Sequence, residues 1–295
     1  MKTSLIVNPV SGRIRYPFQV EWLRRELERR GAATEVKLTR GPLEGIRLAR
    51  QAVEEGAQTV VAVGGDGTLN EVINGIAGSS VRLGIIPAGW RNVLARELRI
   101  PARLPDALAV LLGGNVRRID LGRANDRYFA LMVGVGIDAE SVRTVNYTMK
   151  KYLGGYAYQW AGLQALFRFR PGAFTIRVDD RDEIFGHSAI VSNARYYGGK
   201  HRVSSAARID DGLLDLCLFE RGGRLDFLRY FLGVLGGAHH RYGDVSFIPL
   251  REMEIRRAGI PVHADGDFIG YTPLLVRIHH RALNVLTPPA DAAKL

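Results

Sequence analysis

The chain has 295 residues, of which 46% are hydrophobic and 24% charged, with 34 glycines and one cysteine. That length suits two domains with sizeable cores, and the composition excludes a disordered, collagen-like or coiled-coil chain. Cys217, being alone, excludes an intrachain disulfide and a thiolate metal cluster and fits a reducing compartment. The formal net charge of +11 divides into +7 over residues 1–150 and +4 over 151–295. Such a spread suits an anionic partner (nucleic acid, an anionic membrane surface, a phosphorylated small molecule) or simply arginine-rich solvated helix faces.

The first 120 residues alternate strand and helix patterns. Thr3 to Val7 is a short apolar run closed by Asn8-Pro9. Phe18 to Arg30 puts Val20, Leu23 and Leu27 on one helical face, with Glu21/Arg25 and Glu26/Arg30 at i,i+4 and Gly31 as the stop. Thr34 to Leu38 reads as a strand, Pro42 to Glu55 as a helix closed by Gly56, and Thr59 to Val63 as a buried strand. A helix over Leu69–Ala77, a strand over Val81–Ile86 and helices over Asn92–Leu98 and Leu104–Leu112 follow. This rhythm predicts a parallel sheet with helices on both faces.

After about Asp120 the pattern becomes strand-rich. Tyr128–Val133, Ala173–Val178, His187–Ser192, Leu214–Phe219, Ser246–Ile248, Met253–Ile255 and Leu274–Ile278 read as strands, with helical patterns at Tyr147–Phe167 and Leu225–Leu235 and a soft tail over Thr287–Leu295. A mostly antiparallel second domain is expected. The first apolar run is too short for a signal sequence, and the longest uncharged apolar stretch, Tyr152 to Phe167, is shorter than the roughly 18–20 residues of a membrane span. A cytoplasmic protein that touches a membrane without crossing it is expected.

The strongest chemical signal is Val63-Gly64-Gly65-Asp66-Gly67-Thr68-Leu69-Asn70-Glu71. A buried strand runs into three glycines and then a helix, so backbone N–H groups and a helix N-terminus can approach an anion, with Thr68 available as a cap. A carboxylate inside such a cradle makes sense as a Mg²⁺ partner or a group acting on a nucleophile, or more simply as a helix cap. No Gly-Lys-Ser/Thr follows, so the loop is not a Walker A sequence.

Gly64-Gly65-Asp66-Gly67-Thr68 resembles the signature shared by diacylglycerol-type lipid kinases, sphingosine kinases, NAD kinases and phosphofructokinases. Further stretches resemble the bacterial diacylglycerol kinase-like lipid kinases in order along nearly the whole chain. They are Asn8-Pro9-Val10-Ser11-Gly12, Leu83-Gly84-Ile85-Ile86-Pro87-Ala88-Gly89 with Asn92-Val93-Leu94-Ala95-Arg96, Gly134-Val135-Gly136-Ile137-Asp138-Ala139, Arg195-Tyr196-Tyr197-Gly198-Gly199, Asp210-Asp211-Gly212-Leu213-Leu214-Asp215 and Asp265-Gly266-Asp267. The resemblance implies an α/β fold: an N-terminal parallel-sheet nucleotide-binding domain over 1–121, and a C-terminal mostly antiparallel β-rich domain for the lipid over 122–295 whose last segment returns to the first.

It further implies that Asn8, Ser11, Gly12, Thr39, Gly64, Gly65, Asp66, Gly67, Thr68, Asn70, Gly89 and Asn92 hold ATP, and that Asp66 contacts the catalytic Mg²⁺. Asp267, where the family usually carries Glu, would take the proton of the lipid hydroxyl, and Asp211 with the carbonyls of Arg208 and Leu213 would hold a structural Mg²⁺. An ordinary aspartate is a weak base for an alcohol, which matters little in a loose phosphoryl-transfer transition state.

The chain departs from the family at Gly89-Trp90-Arg91-Asn92-Val93: an indole stands where a Thr is common, and Val93 where some members have a carboxylate. Trp90 would either stack on adenine or obstruct it. The expected partners are a lipid and an anionic membrane surface at the inner face, with a homodimer left open; no nucleic-acid motif accompanies the charge. The rival readings are an NAD kinase-type enzyme and, because of Trp90, a non-catalytic nucleotide- or lipid-binding pseudokinase.

Gly134-x-Gly136-x-x-Ala139 mimics a dinucleotide fingerprint without a clear βαβ continuation. Tyr156, Trp160, Leu163 and Phe167 recur at helical spacing, for core packing or, if exposed beside Arg168 and Arg170, for acyl chains.

Overall fold

A computed structural model of the chain describes residues 1–12, 14–144, 172–199 and 201–289. It divides into two compact units, Met1–Ile119 with Arg281–Leu295, and Asp120–His280.

The first unit contains β1 (Lys2–Val7), α1 (Phe18–Glu28), β2 (Ala33–Leu38), α2 (Glu44–Glu54), β3 (Thr59–Gly64), α3 (Asp66–Ile76), β4 (Arg82–Pro87), α4 (Val93–Glu97) and α5 (Leu104–Gly113); β5 (Val116–Ala124) starts at its end. The strands run parallel in the order β2-β1-β3-β4, and Asn284 and Val285 of the last strand pair in parallel with Arg82 and Leu83. Every residue of β3 is buried, as its β-branched run requires. Helix α1 buries Val20, Leu23 and Leu27 while Glu21 and Glu26 pair with Arg25 and Arg30 on the outside, in solvent-screened pairs that add little to stability. Gly75 lets α3 lie directly on Ala49 of α2, and Gly84 of β4 makes room for Leu111 of α5.

The second unit contains β6 (Arg127–Phe129), β7 (Met132–Val135), α6 (Ile137–Thr144), β8 (Phe174–Val178), β9 (Ile184–Gly186), β10 (Ser188–Ser192), β11 (Tyr196–Tyr197), β12 (His201–Arg202), β13 (Leu214–Phe219), α7 (Arg224–Gly236), β14 (Val245–Leu250), β15 (Glu252–Ile255), β16 (Pro261–Ala264), β17 (Asp267–Tyr271) and most of β18 (Leu274–Leu286). One sheet is antiparallel throughout, in the order β14-β13-β10-β7-β16-β17. A second layer pairs β18, β15, β8 and β9 antiparallel. Val133, Val135, Val191, Leu216 and Val262 of the first layer share one core with Phe174, Ile176, Met253, Ile255 and Val276 of the second.

The fold class therefore matches the expectation of an α/β nucleotide-type domain and an antiparallel β-rich one. Local differences have physical causes. The single strand expected over Tyr128–Val133 is two, because the N–H groups of Ala130, Leu131 and Met132 turn toward the Asp265 carboxylate. Helix α3 begins at Asp66 on Gly65, so Thr68 lies inside the first turn and caps nothing. The strand expected over Leu274–Ile278 continues to Leu286, and Thr287, expected in a soft tail, donates its N–H to Asn115. The Tyr147–Phe167 helix with Tyr156, Trp160, Leu163 and Phe167, the residues Arg168 and Arg170, and the tail from 290 onward lie outside the described residues.

Candidate active site

In the first unit the conspicuous loops all leave the carboxyl ends of neighbouring parallel strands, where open α/β sheets bind ligands. After β1, Asn8 makes an Asx turn with Val10 N–H and sends its amide to the Thr68 hydroxyl at 3.2 Å. Ser11 accepts the Gly65 N–H at 3.2 Å. After β3, the Asp66 carboxylate accepts the Val93 N–H at 2.6 Å, which ties this loop to the one after β4. In that third loop Asn92, at φ 47°, exchanges two hydrogen bonds with Gly89, at 3.0 and 2.8 Å.

Glycine is required where the loops meet. A Cβ on Gly89 would lie 2.6 Å from the Cα of Gly65, and one on Gly12 would lie 2.6 Å from Trp90 Nε1. The indole thus rests on Gly12, yet Trp90 is 67% exposed. Gly67 has open space around it. Thr39, after β2, is buried, with its N–H and hydroxyl on the Val7 carbonyl. Asn70 is buried and faces the Asn74 amide.

Asn8, Ser11, Gly12, Thr39, Gly64, Gly65, Asp66, Gly67, Thr68, Asn70, Gly89 and Asn92 thus belong to one contiguous end of one sheet. Glu71, to which the sequence assigns no role, accepts the N–H groups of Leu43 and Gly45 at 2.9 and 2.8 Å and holds the start of α2. Its place inside the glycine motif was the available signal.

In the second unit Asp267 opens β17 after the two-residue turn Asp265-Gly266, whose φ values of 49° and 84° are those of a type I′ hairpin. Its side chain is 43% exposed, 4.0 Å from the Arg127 guanidinium. Asp265, which stands out in the sequence only as part of the motif, accepts the N–H groups of Ala130, Leu131 and Met132 at 2.8, 2.9 and 2.9 Å.

Asp211 is exposed and closes an Asx turn onto the Leu213 N–H at 3.1 Å; Arg208 is exposed and Leu213 half-buried. The fully buried Asp120 anchors this turn, accepting the Gly212 N–H at 2.6 Å and facing His280 Nδ1 at 2.8 Å. Burial, and then the Asp211 charge, push the Asp215 carboxyl above its ordinary value. No group of three or more His, Cys, Asp or Glu is placed to hold a metal among the described residues. An ion at Asp211 would therefore complete its shell with carbonyls and water, which Mg²⁺ accepts.

Residues 2–124 match the family model of the diacylglycerol kinase catalytic domain, and residues 131–287 match the YegS C-terminal NAD kinase beta sandwich-like domain. The chain is 32% identical to a diacylglycerol kinase of Mycobacterium tuberculosis over 97% of its own length and 95% of that protein's. It is 28% identical to a diacylglycerol kinase of Bacillus subtilis over 100% and 99%. Among solved structures, a diacylglycerol kinase from Bacillus anthracis shares the fold with a TM-score of 0.77 at 22% identity, covering 98% of each chain. Among the described residues no helix is long and apolar enough to cross a membrane. With these relatives along its whole length, the chain belongs to the diacylglycerol kinase family of lipid kinases.

Proposed function

We propose that this chain transfers the γ-phosphoryl group of ATP, in a Mg²⁺-dependent reaction, to the hydroxyl of diacylglycerol or a related lipid. The observation that carries the reading is the convergence of three glycine-containing loops around Asp66 at the carboxyl ends of β1, β3 and β4. Ser11, Gly12, Gly65, Gly67, Gly89 and Asn70 would line the nucleotide, while Asn8, Thr39, Thr68 and Asn92 hold the loops in shape through the hydrogen bonds already described.

Phosphoryl transfer asks little covalent chemistry of a protein and depends on positioning and charge. Asp66 would bind Mg²⁺ beside the phosphates, and the ion would neutralise charge on the transferring oxygens. Asp267 would accept the proton of the lipid hydroxyl as its oxygen attacks the γ-phosphorus and the bond to ADP breaks. Asp211, with the carbonyls of Arg208 and Leu213, would hold a second, structural Mg²⁺. Residues 1–121 would serve the nucleotide and 122–295 the lipid, and the net charge of +11 supports docking on an anionic membrane surface at the cytoplasmic face.

The test is phosphoryl transfer from labelled ATP with Mg²⁺ to a panel of lipids in mixed micelles, beside Asp66→Asn and Asp267→Asn. Transfer to diacylglycerol that Asp66→Asn abolishes and Asp267→Asn lowers to a small but measurable residue is the expected result. Transfer to NAD instead, or tight ATP binding with no acceptor, would overturn it.

A further inference from the structure

Three stretches of the second unit have no part in the chemistry above: Gly134 to Ala139, Arg195 to Gly199, and the residues that precede Asp265. They meet at one cluster around the buried His263. His263, in β16, is 3% exposed, and its Nε2 lies 2.7 Å from Asp138 Oδ2. Asp138 sits in the first turn of α6, where a helix dipole favours a negative charge. Its other oxygen receives the Tyr197 hydroxyl, from β11. His263 Nδ1 accepts the Gly266 N–H at 3.3 Å, so the ring reaches into the turn that presents Asp267.

The backbone is built around this contact. Gly134 pairs with His263 across β7 and β16. A Cβ on Gly134 would strike the His263 ring and come within 2.5 Å of Asp138 Oδ2. The first glycine of the dinucleotide-like run therefore makes room for a side-chain pair in this chain. The β16–β17 register also shifts between Val262 and His263, an irregularity of the kind that re-aims a strand beside an active site.

Burying such a pair carries a desolvation cost that apolar side chains would avoid, beside a core of apolar residues such as Val133, Val135 and Val262. Burial works to raise the Asp138 carboxyl, but the facing His263 ring and the Tyr197 hydroxyl hold it below the ordinary carboxylate value. What the cluster supplies in return is a fixed point at one end of the hairpin. The Asp265 carboxylate, bonded to three N–H groups, supplies the other.

We propose that Asp138, His263 and Tyr197 are positioning residues, a clamp around the buried His263 ring that holds the Asp265-Gly266 turn and thereby sets the place of the Asp267 carboxylate. The kinetic part of this inference rests on Asp267 being the base; the structural part does not.

The test uses the full chain with His263→Ala, His263→Gln and Tyr197→Phe, each alone and combined with Asp267→Asn. Amide hydrogen exchange without substrates reads the hairpin. His263→Ala should raise exchange over 264–268 on the order of tenfold or more while peptides from β10 and β13 keep their protection. His263→Gln, which retains a donor and an acceptor, should recover part of that protection. In lipid phosphorylation, His263→Ala should lower kcat on the order of 10–100-fold at an unchanged KM for ATP. It should lower activity no further in the Asp267→Asn background.

Unchanged exchange at 264–268, an equal rise across the whole unit, or a full further loss of activity in the Asp267→Asn background would overturn the clamp. Should Asp267→Asn keep full activity, the assignment of the base fails, and the exchange measurement alone decides whether the turn is clamped.

Discussion

Gly89 and Gly67 belong to loops of the same proposed phosphate region but stand in opposite surroundings, so one substitution made at each separates packing from ligand contact. At Gly89 a methyl group would sit 2.6 Å from Gly65 Cα and 2.9 Å from Asn92 Oδ1. The first neighbour is backbone, so the two loops must part by about 1 Å to reach ordinary contact. Overpacking of that kind costs about 1–3 kcal/mol. It also opens the 2.6 Å bond from Val93 N–H to Asp66, which lies between the same loops.

At Gly67, in the first turn of α3, nothing lies within 4 Å of the added Cβ. Alanine there should stabilise the helix, by about 0.5 kcal/mol. The open space beside Gly67 is where a phosphate would lie, so Gly67→Ala should nonetheless bind ATP more weakly, by about tenfold. Urea unfolding gives the stabilities and titration calorimetry the ATP affinities. Gly89→Ala as stable as the parent would refute the close approach of the loops. Gly67→Ala with undiminished ATP affinity would refute the phosphate assignment.

Replacing Glu71 by Ala leaves the Leu43 and Gly45 N–H groups without their carboxylate beside a Leu43 held at φ 65°, and should cost about 1–3 kcal/mol in urea unfolding. Trp90→Thr should weaken ATP binding about five-fold in calorimetry, the loss of one aromatic stack on the exposed indole; a gain in affinity would instead mark the indole as an obstruction. Asp138 holds its proton less tightly in the folded chain than in the unfolded one, where carboxyls titrate near pH 4. Its contribution to stability is therefore present above that range and is lost as the pH falls through the lower folded value. Melting temperatures measured from about pH 7 to pH 3 should fall less steeply at the acid end for Asp138→Asn than for the parent.

Much of the first unit was legible because its signals are local. An all-apolar β-branched run can only be a buried strand, and the amphipathic spacing of Val20, Leu23 and Leu27 defines α1 without reference to anything else. The glycine loops were legible for the same reason, since a strand followed by three glycines and a helix is a local pattern. The second unit was harder to read. The Tyr128–Val133 run is apolar enough for one strand, and only the Asp265 carboxylate, more than 130 residues away in sequence, interrupts it. Thr68 looked like a cap, but the helix begins two residues earlier on a bare glycine, and its hydroxyl faces Asn8 instead.

The α/β-then-antiparallel architecture and the glycine loops can be read from local pattern, because hydrophobic period and turn chemistry act over a few residues. Which polar side chains hold the loops and turns of both units in place depends instead on packing across long stretches of chain. Glu71, Asp120, Asp138, His263 and Asp265 each bond to groups at least 26 residues distant. A carboxylate or imidazole in the sequence carries no mark of the backbone N–H or side chain it will meet, and that meeting is fixed by the packing of strands and helices around it.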